Sequence, residues 1–340
     1  VQEGMQIQKA YGFKNISKQS FQDSLVVNQQ QFNVDSRKTD NKTFRIIAPL
    51  PGDTTQFSVD LISLGFAGDN DFKLEVNPQI EPELFYDNNT LDLRSFLKVE
   101  KDNINPILDI LFDGRYILNG DIVSPSPLIT IQLKDENPLV QVKDTTSMNI
   151  FLKRECESCS FNRVSFASSE VQWFAATEQT SFNVEYKPSK LEDGRYTMRV
   201  EASDASDNFS GEEPYSISFE VINESTITNF YPYPNPFSTS TKFVFTLTGS
   251  EVPQEIRIQI MTVSGKIVRE ITQDELGLVR IGNNVSDYAW DGRDEFGDKL
   301  ANGVYLYKVV VKQNGQSFKQ RSSSADKAFT KGFGKLYILR

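Results

Sequence analysis

Histidine is absent from this chain of 340 residues. Its absence removes the commonest general base, the commonest metal ligand and the usual partner of serine and cysteine nucleophiles. Carboxylates or lysines could still form a catalytic site, but no motif in the sequence has the pattern of one. We therefore predict that these residues contain no catalytic site.

The sequence also lacks any apolar run long enough to cross a membrane. The first residues, Val1-Gln2-Glu3-Gly4, are neither basic nor followed by an apolar stretch, so they lack the pattern of a signal peptide. If the protein is exported, residues upstream of Val1 must direct it. We expect the chain to be a fragment or a processed product of a larger protein.

Cysteine is scarce, and the two copies, Cys156 and Cys159, form a Cys-x-x-Cys motif. A structural zinc site needs four ligands, and the sequence supplies neither a second cysteine pair nor a histidine. A thioredoxin-like redox site needs a βαβ context, which the sequence pattern does not provide. We predict a local disulfide between Cys156 and Cys159, formed in an oxidising compartment, with a pair of free thiols as the alternative.

The formal net charge is −10, which argues against a nucleic-acid partner and against an anionic membrane surface. The charge is uneven, because residues 225–340 carry a net charge of +4 and residues 1–224 a net charge of −14. Most of the positive excess lies in the predicted last strands, at Lys308, Lys312, Lys319, Arg321, Lys327, Lys331, Lys335 and Arg340. Such a stripe is typical of solvated strand faces and of sheet edges protected by lysine.

The residues that are abundant favour strands, with 25 phenylalanines and no long stretch of helical periodicity. Apolar and polar residues alternate at 57–61 and at 72–76, which is the period of a sheet with one buried face. A sandwich domain has ~100 residues, so the length fits three. We predict an all-β chain of three tandem immunoglobulin-like β-sandwich domains, at residues 1–100, 101–224 and 225–340.

The first of these predicted domains has a series of motifs in a recognisable order. It comprises PLPGD at 49–53, a glycine-led strand at 68–76 followed by Asn77-Pro78, Pro82-Glu83, and DNN at 87–89. This series resembles the CARDB family, the cell-adhesion-related domains of bacteria. The resemblance implies a β-sandwich without catalytic residues.

The second predicted domain carries LEDGRYT at 191–197 and ASDASDN at 202–208. These motifs resemble the last hairpin of many bacterial immunoglobulin-like domains. The resemblance implies a fold class and nothing further.

The third predicted domain has YPNPF at 233–237, FVFTL at 243–247, WDGRD at 290–294 and LANGVYLY at 300–307. In this order they resemble the immunoglobulin-like domain of flagellar hook-capping proteins and the C-terminal sorting domains of type IX secretion substrates. A flagellar role is not expected, since nothing in the chain resembles the rest of a hook cap. The sorting resemblance implies a bacterial parent protein, such as an adhesin or a gingipain-like cysteine peptidase, that passes through the periplasm to the cell surface or the medium.

The same resemblance implies a partner in the secretion or attachment machinery of the outer membrane, besides upstream domains of the parent protein. The basic final strand could dock on it by strand addition or by charge pairing. We predict that Lys335, Tyr337 and Arg340 take part in this docking.

Two acidic corners are candidate calcium sites, one at Asp87 and Asn89 and the other at Asp204 and Asp207. Aspartate and asparagine also form Asx turns without any metal, so a purely structural role is the alternative. Residues 291–302 do not match an EF-hand, because Phe296 stands where the loop needs glycine. We predict no other cofactor.

Two functions fit these observations. In the first, residues 1–224 act as spacer or adhesion domains and residues 225–340 direct type IX secretion and surface targeting. The alternative is an extracellular module whose exposed sheet face binds a glycan or a protein. Exposed aromatic residues clustered on one sheet face would favour the alternative.

Overall fold

The computed structural model describes residues 1–313, 316–317, 319–320 and 332–340. These residues form mainly antiparallel sheets, in which only the strands Asp121–Val123 with Tyr215–Val221 and Thr226–Tyr233 with Lys319–Gln320 pair in parallel. Their helices are one short α-helix and one 3-10 turn at Asp87–Asn89, so the predicted all-β fold class is confirmed. Among the described residues, no helix is long and apolar enough to span a bilayer.

The first part of the chain folds into a four-stranded sheet packed on a pair of strands. The strands are β1 (Ile7–Lys14), β2 (Ser24–Asn33), β3 (Thr39–Ile47), β4 (Thr54–Leu61), β5 (Gly68–Val76) and β6 (Thr90–Val99). The larger sheet has the order β3-β2-β5-β6, and β1 pairs with β4. Alternate residues of β2 and β5 face inward and form the first core with Val59 and Leu61 of β4.

The second part has two sheets, in the orders β11-β10-β14-β15-β8 and β12-β13-β9-β7. The strands are β7 (Ile107–Phe112), β8 (Asp121–Val123), β9 (Ile129–Lys134), β10 (Met148–Arg154), β11 (Asn162–Arg163), β12 (Val171–Phe174), β13 (Phe182–Tyr186), β14 (Gly194–Ala202) and β15 (Tyr215–Val221). The second core lies between these sheets and includes Phe112, Phe182 and Phe219, all fully buried.

The third part again has two sheets, in the orders β20-β17-β16-β23 and β19-β18-β21-β22, with β24 also paired to β21. The elements are β16 (Thr226–Tyr233), β17 (Lys242–Leu247), β18 (Glu255–Thr262), β19 (Ile267–Ile271), α1 (Gln273–Leu276), β20 (Gly282–Val285), β21 (Gly303–Gln313), β22 (Gln316–Ser317), β23 (Lys319–Gln320) and β24 (Gly334–Ile338). Trp290, Phe243 and Tyr307 fill the third core.

The three cores share no residue, and each lies between its own pair of sheets. We call these parts the first, second and third sandwich. Their separation favours the predicted division at residues 1–100, 101–224 and 225–340, which stays a prediction.

In the part of the chain that the structure describes, hydrogen bonds at two places join the second sandwich to the third. After β17, Gly249 N of the third sandwich donates to Ile222 O of the link between β15 and β16 at 2.9 Å, and Asn223 N fixes this link to Asp193 Oδ1 of the second sandwich at 2.6 Å. At the second contact, Arg115 donates to the carbonyl oxygens of Ile281 at 2.7 Å and Asn283 at 3.3 Å. Both sandwiches are therefore held at two separate points.

Candidate functional site

The last strand, β24, contains two of the three residues predicted to dock. Its side chains alternate, with Leu336 and Ile338 fully buried in the third core and Lys335 and Tyr337 exposed. In the register with β21, Tyr337 lies opposite Val304 and Lys335 lies opposite Leu306. The sequence pattern therefore places Lys335 and Tyr337 together on the outward face of this sheet.

The other edge of β24 is covered by residues 233–237, which we call the proline segment. Asn235 Nδ2 donates to Lys335 O at 3.0 Å, and Tyr337 N donates to Asn235 Oδ1 at 2.9 Å. Phe237 N donates to Tyr337 O at 3.1 Å, and Leu339 N donates to Phe237 O at 2.9 Å. Because these backbone groups already have partners, another strand could add to this edge only by displacing the proline segment.

The proline segment is anchored by one of its two aromatic residues. Phe237 is buried, and its ring lies 5.6 Å from that of the fully buried Trp290. Trp290 Nε1 in turn donates to Arg293 O at 2.8 Å. Tyr233, by contrast, is largely exposed.

Arg340, the third residue predicted to dock, is engaged within its own chain. Its guanidinium donates to Asp291 O at 2.5 Å, Leu300 O at 3.1 Å and Gly292 O at 3.2 Å. Gly292 has a φ of +75°, and a Cβ there would lie 2.5 Å from Arg340 Nη2. The arginine thus holds the loop after Trp290 closed, and its predicted docking role has less geometric support than those of Lys335 and Tyr337.

The basic stripe lies partly on the same outward face. Lys308 and Lys312 of β21 share the face with Lys335, and Lys312 forms an ion pair with Glu255 at 3.4 Å. Lys319 belongs to β23. Arg321, Lys327 and Lys331 lie outside the described residues.

The acidic corner at Asp204 is a buried turn. Asp204 Oδ1 accepts hydrogen bonds from Ser206 N and Asn208 N, both at 2.8 Å, and Oδ2 accepts one from Asn208 Nδ2. Asp207 is exposed with a φ of +66°, as the residue at the tip of the turn. This is the Asx-type arrangement given above as the alternative to calcium.

Two carboxylates that the sequence pattern did not indicate lie next to Asp204. Asp102, from the link before β7, and Asp135, at the end of β9, each place an oxygen within 4.8 Å of the others. Asp135 Oδ2 is buried and has no hydrogen-bond partner. Burial raises the pKa of Asp135, and the charges of Asp204 and Asp102 raise it further. These three residues could hold a cation, and calcium binding stays a prediction.

The corner at Asp87 and Asn89 has a different arrangement. Asn89 is buried and donates from Nδ2 to Glu83 Oε1 at 2.9 Å, whereas Asp87 is exposed. This hydrogen bond fixes the loop between β5 and β6, and calcium binding at this corner stays a prediction.

Cys156 and Cys159 form a disulfide in the exposed turn between β10 and β11. The bridge joins residues three positions apart, so it constrains this turn alone.

The exposed aromatic residues of the second sandwich bear on the alternative function. Trp173 and Phe174 are both partly exposed on the edge strand β12. Adjacent residues of a strand point to opposite faces, and the Trp173 ring packs on Phe182 at 6.1 Å. These two rings therefore do not form one flat platform for a glycan.

No protein-family model matches the chain, and no curated protein matches it either. Among solved structures, it is similar to dimeric latent PorU from Porphyromonas gingivalis, with 14% identity and a TM-score of 0.27 over 100% of this chain and 32% of that one. Domains A168–A170 of titin align with 11% identity and a TM-score of 0.24 over 91% of this chain and 95% of that one. The FN1–FN3 domains of chicken CNTN1 align with 10% identity and a TM-score of 0.23 over 93% of this chain and 90% of that one. The chain thus spans about a third of the PorU chain, and likenesses this distant do not indicate a function.

Proposed function

We propose that this chain is a non-catalytic part of an exported bacterial protein. In this proposal the first two sandwiches serve as spacer or adhesion domains, and the third directs type IX secretion and attachment at the cell surface. The parent protein would pass through the periplasm and reach the surface or the medium. An upstream catalytic domain remains compatible with this role.

One observation carries the targeting part of the proposal. Lys335 and Tyr337 are exposed side by side on the outward face of β24, while their neighbours Leu336 and Ile338 anchor the strand in the core. A cation and an aromatic ring held on a fixed strand suit recognition by an acidic or aromatic acceptor. The motifs between residues 233 and 307 that resemble type IX sorting domains lie in the same sandwich.

Removing the whole of β24 would not test this role, because Leu336 and Ile338 belong to the core. The sharper experiment changes the two exposed residues, Lys335→Glu and Tyr337→Ser, in the full-length parent within a host that has a type IX system. We expect the folded double variant to accumulate in the periplasm. A matched variant, Lys242→Glu on the exposed side of β17, should reach the surface as the unmodified protein does.

Arrival of the Lys335→Glu/Tyr337→Ser protein at the surface in normal amount would refute the targeting role. The third sandwich would then be a structural domain only.

A further inference from the structure

Three loops of the first sandwich lie at the same end of it. Residues 15–23 join β1 to β2, residues 48–53 join β3 to β4, and residues 77–89 join β5 to β6. In the register of the sheets, Lys14 pairs with Thr54, Ser24 pairs with Ile47, and Glu75 pairs with Thr90. These pairs are the strand ends from which the loops emerge. We call this end the outer pole, because the chain leaves the opposite end for the second sandwich.

The outer pole exposes large apolar side chains. Each of the loops contributes, and the residues concerned are all more than half exposed: Ile16, Leu50, Ile80, Leu84 and Phe85. Leu84 and Phe85 are the most exposed, at 89% and 74%. Single exposed apolar residues are ordinary, but a group of them at one end marks an interaction surface.

The loop at 77–89 holds its apolar side chains outward by filling its interior with polar ones. Asn77 is buried, donates to Glu81 O at 2.8 Å and accepts from Glu81 N at 2.7 Å. Tyr86 Oη accepts from Glu83 N and donates to Glu81 O, both at 3.0 Å. With these bonds formed inside the loop, Leu84 and Phe85 face solvent on a fixed backbone. A fixed backbone lowers the entropy lost on binding.

The other two loops are fixed to each other. Asn15 N donates to Asp53 O at 3.0 Å, and Gly52 N donates to Asn15 O at 2.8 Å. Asn15 Nδ2 donates to Gln19 O at 2.8 Å. Ile16 and Leu50 are thus carried on neighbouring loops whose separation is set by hydrogen bonds.

The charge of the outer pole indicates what kind of surface it fits. The three loops carry the carboxylates Asp23, Asp53, Glu81, Glu83 and Asp87 against one cation, Lys18. A second copy of this pole would be repelled, and so would an anionic membrane. A complementary surface is apolar at its centre and basic at its rim.

We propose that the outer pole of the first sandwich docks a protein partner that presents an apolar patch bordered by lysine and arginine. Leu84 and Phe85 enter the centre of the contact, and the exposed carboxylates pair with the rim. This surface lies on a different sandwich from Lys335 and Tyr337, so the proposal stands apart from the targeting role.

The probe is a random peptide library displayed on phage and selected against the full chain. We expect enriched peptides that combine apolar residues with lysine or arginine, and that bind more weakly as salt concentration rises. Leu84→Ser/Phe85→Ser should weaken their binding by about tenfold or more, the loss expected for central anchors. The matched control, Leu118→Ser/Phe209→Ser, removes two exposed apolar residues of the second sandwich and should leave binding unchanged.

Four outcomes would overturn the proposal. In the peptide selection, these are the absence of any binder, peptides that bind the Leu84→Ser/Phe85→Ser variant equally well, and enriched peptides without basic residues. The fourth is sedimentation of the chain with phosphatidylcholine or phosphatidylglycerol vesicles that depends on Leu84 and Phe85. Since these substitutions change exposed side chains, circular dichroism of the variant should match that of the unmodified chain.

Discussion

At the scale of single residues, Asp135 is the clearest case of a side chain whose negative charge destabilises the folded state. Its Oδ2 is buried without a hydrogen-bond partner, and its oxygens lie near those of Asp102 and Asp204. Burial and these neighbours raise its pKa above the ordinary value of 3.8. A carboxyl with a raised pKa binds its proton more tightly in the folded state, so its ionisation lowers the free energy of unfolding.

We therefore expect Asp135→Asn to raise the melting temperature at pH 7, by a few degrees. This increase in melting temperature should grow as pH rises from about 3.8 through the raised pKa of Asp135. It should vanish at lower pH, because there Asp135 is protonated in both the folded and the unfolded state. Thermal melts between pH 3 and 7 measure it. Asp144→Asn is the opposite control, because hydrogen bonds from Thr146 lower the pKa of Asp144.

A melting temperature at pH 7 that is unchanged or lowered in Asp135→Asn would contradict this account. Repeating the melts with calcium chloride tests the predicted metal site. A stabilisation by calcium that Asp135→Asn abolishes would place a cation among these carboxylates.

Sequence reasoning reached only one member of this carboxylate group. Asp204 stands in a loop with a readable turn pattern, whereas Asp102 and Asp135 lie in a linker and at a strand end, remote from it in sequence. Their meeting depends on how the sandwich closes, which no local pattern records. The outward position of Lys335 and Tyr337 could be predicted from the sequence, because polar and apolar residues alternate strictly along β24.

At the scale of elements, β2 buries amides where a strand usually buries apolar side chains. Gln29 Nε2 donates to Asp60 O at 2.9 Å, and Gln31 Nε2 donates to Ile62 O at 2.7 Å. Ile62 N donates to Gln31 Oε1 at 2.9 Å. The glutamine side chains thus take the place of a neighbouring strand for the end of β4, and they join the two sheets of the first sandwich.

We expect Gln31→Ala to lower the free energy of unfolding of the first sandwich by about 2 kcal/mol, because it removes the side-chain partners of Ile62 N and O in a buried position. Gln30→Ala is the matched control on the same strand. Gln30 is exposed, so its loss should cost less than about 0.5 kcal/mol. Urea unfolding curves of the full chain measure both, and equal costs would contradict the role given to the buried amide.

The alternation that predicts strands at 57–61 and 72–76 is visible because one face is apolar. Along Asn28, Gln29, Gln30 and Gln31 every side chain is polar, so the sequence cannot indicate which face is buried. The sequence could not predict the covering of the edge of β24 for a similar reason. Its partner is the proline segment, about a hundred residues away, and side-chain hydrogen bonds to a backbone have no sequence period.

At the scale of the whole molecule, the joint between the second and third sandwiches is tightly packed. Gly282 has a φ of +95°, and a Cβ there would lie 2.3 Å from Ile122 O and 2.5 Å from Arg115 Nη2. Asn283 Nδ2 donates to Asp121 Oδ1 at 3.2 Å across the same joint. The two sandwiches therefore approach too closely here for any side chain at residue 282.

We expect the second and third sandwiches to unfold together, and Arg115→Ala to separate their transitions, because it removes both bonds to the Ile281 and Asn283 carbonyls. Differential scanning calorimetry measures the separation, and limited proteolysis should cut faster between residues 222 and 225. Arg163→Ala, at an exposed arginine of β11, is the control. Independent melting of the third sandwich in the unmodified chain would contradict a rigid joint.

The hydrogen bonds between the proline segment and β24 also set the order in which a chain can finish folding. Asn235 and Lys335 are 100 residues apart, and contacts of such separation form only after everything between them has been made or delivered. Until residues 334–339 are delivered, the proline segment lacks its hydrogen-bond partners, and the backbone of Phe237 is not yet fixed to a neighbouring strand.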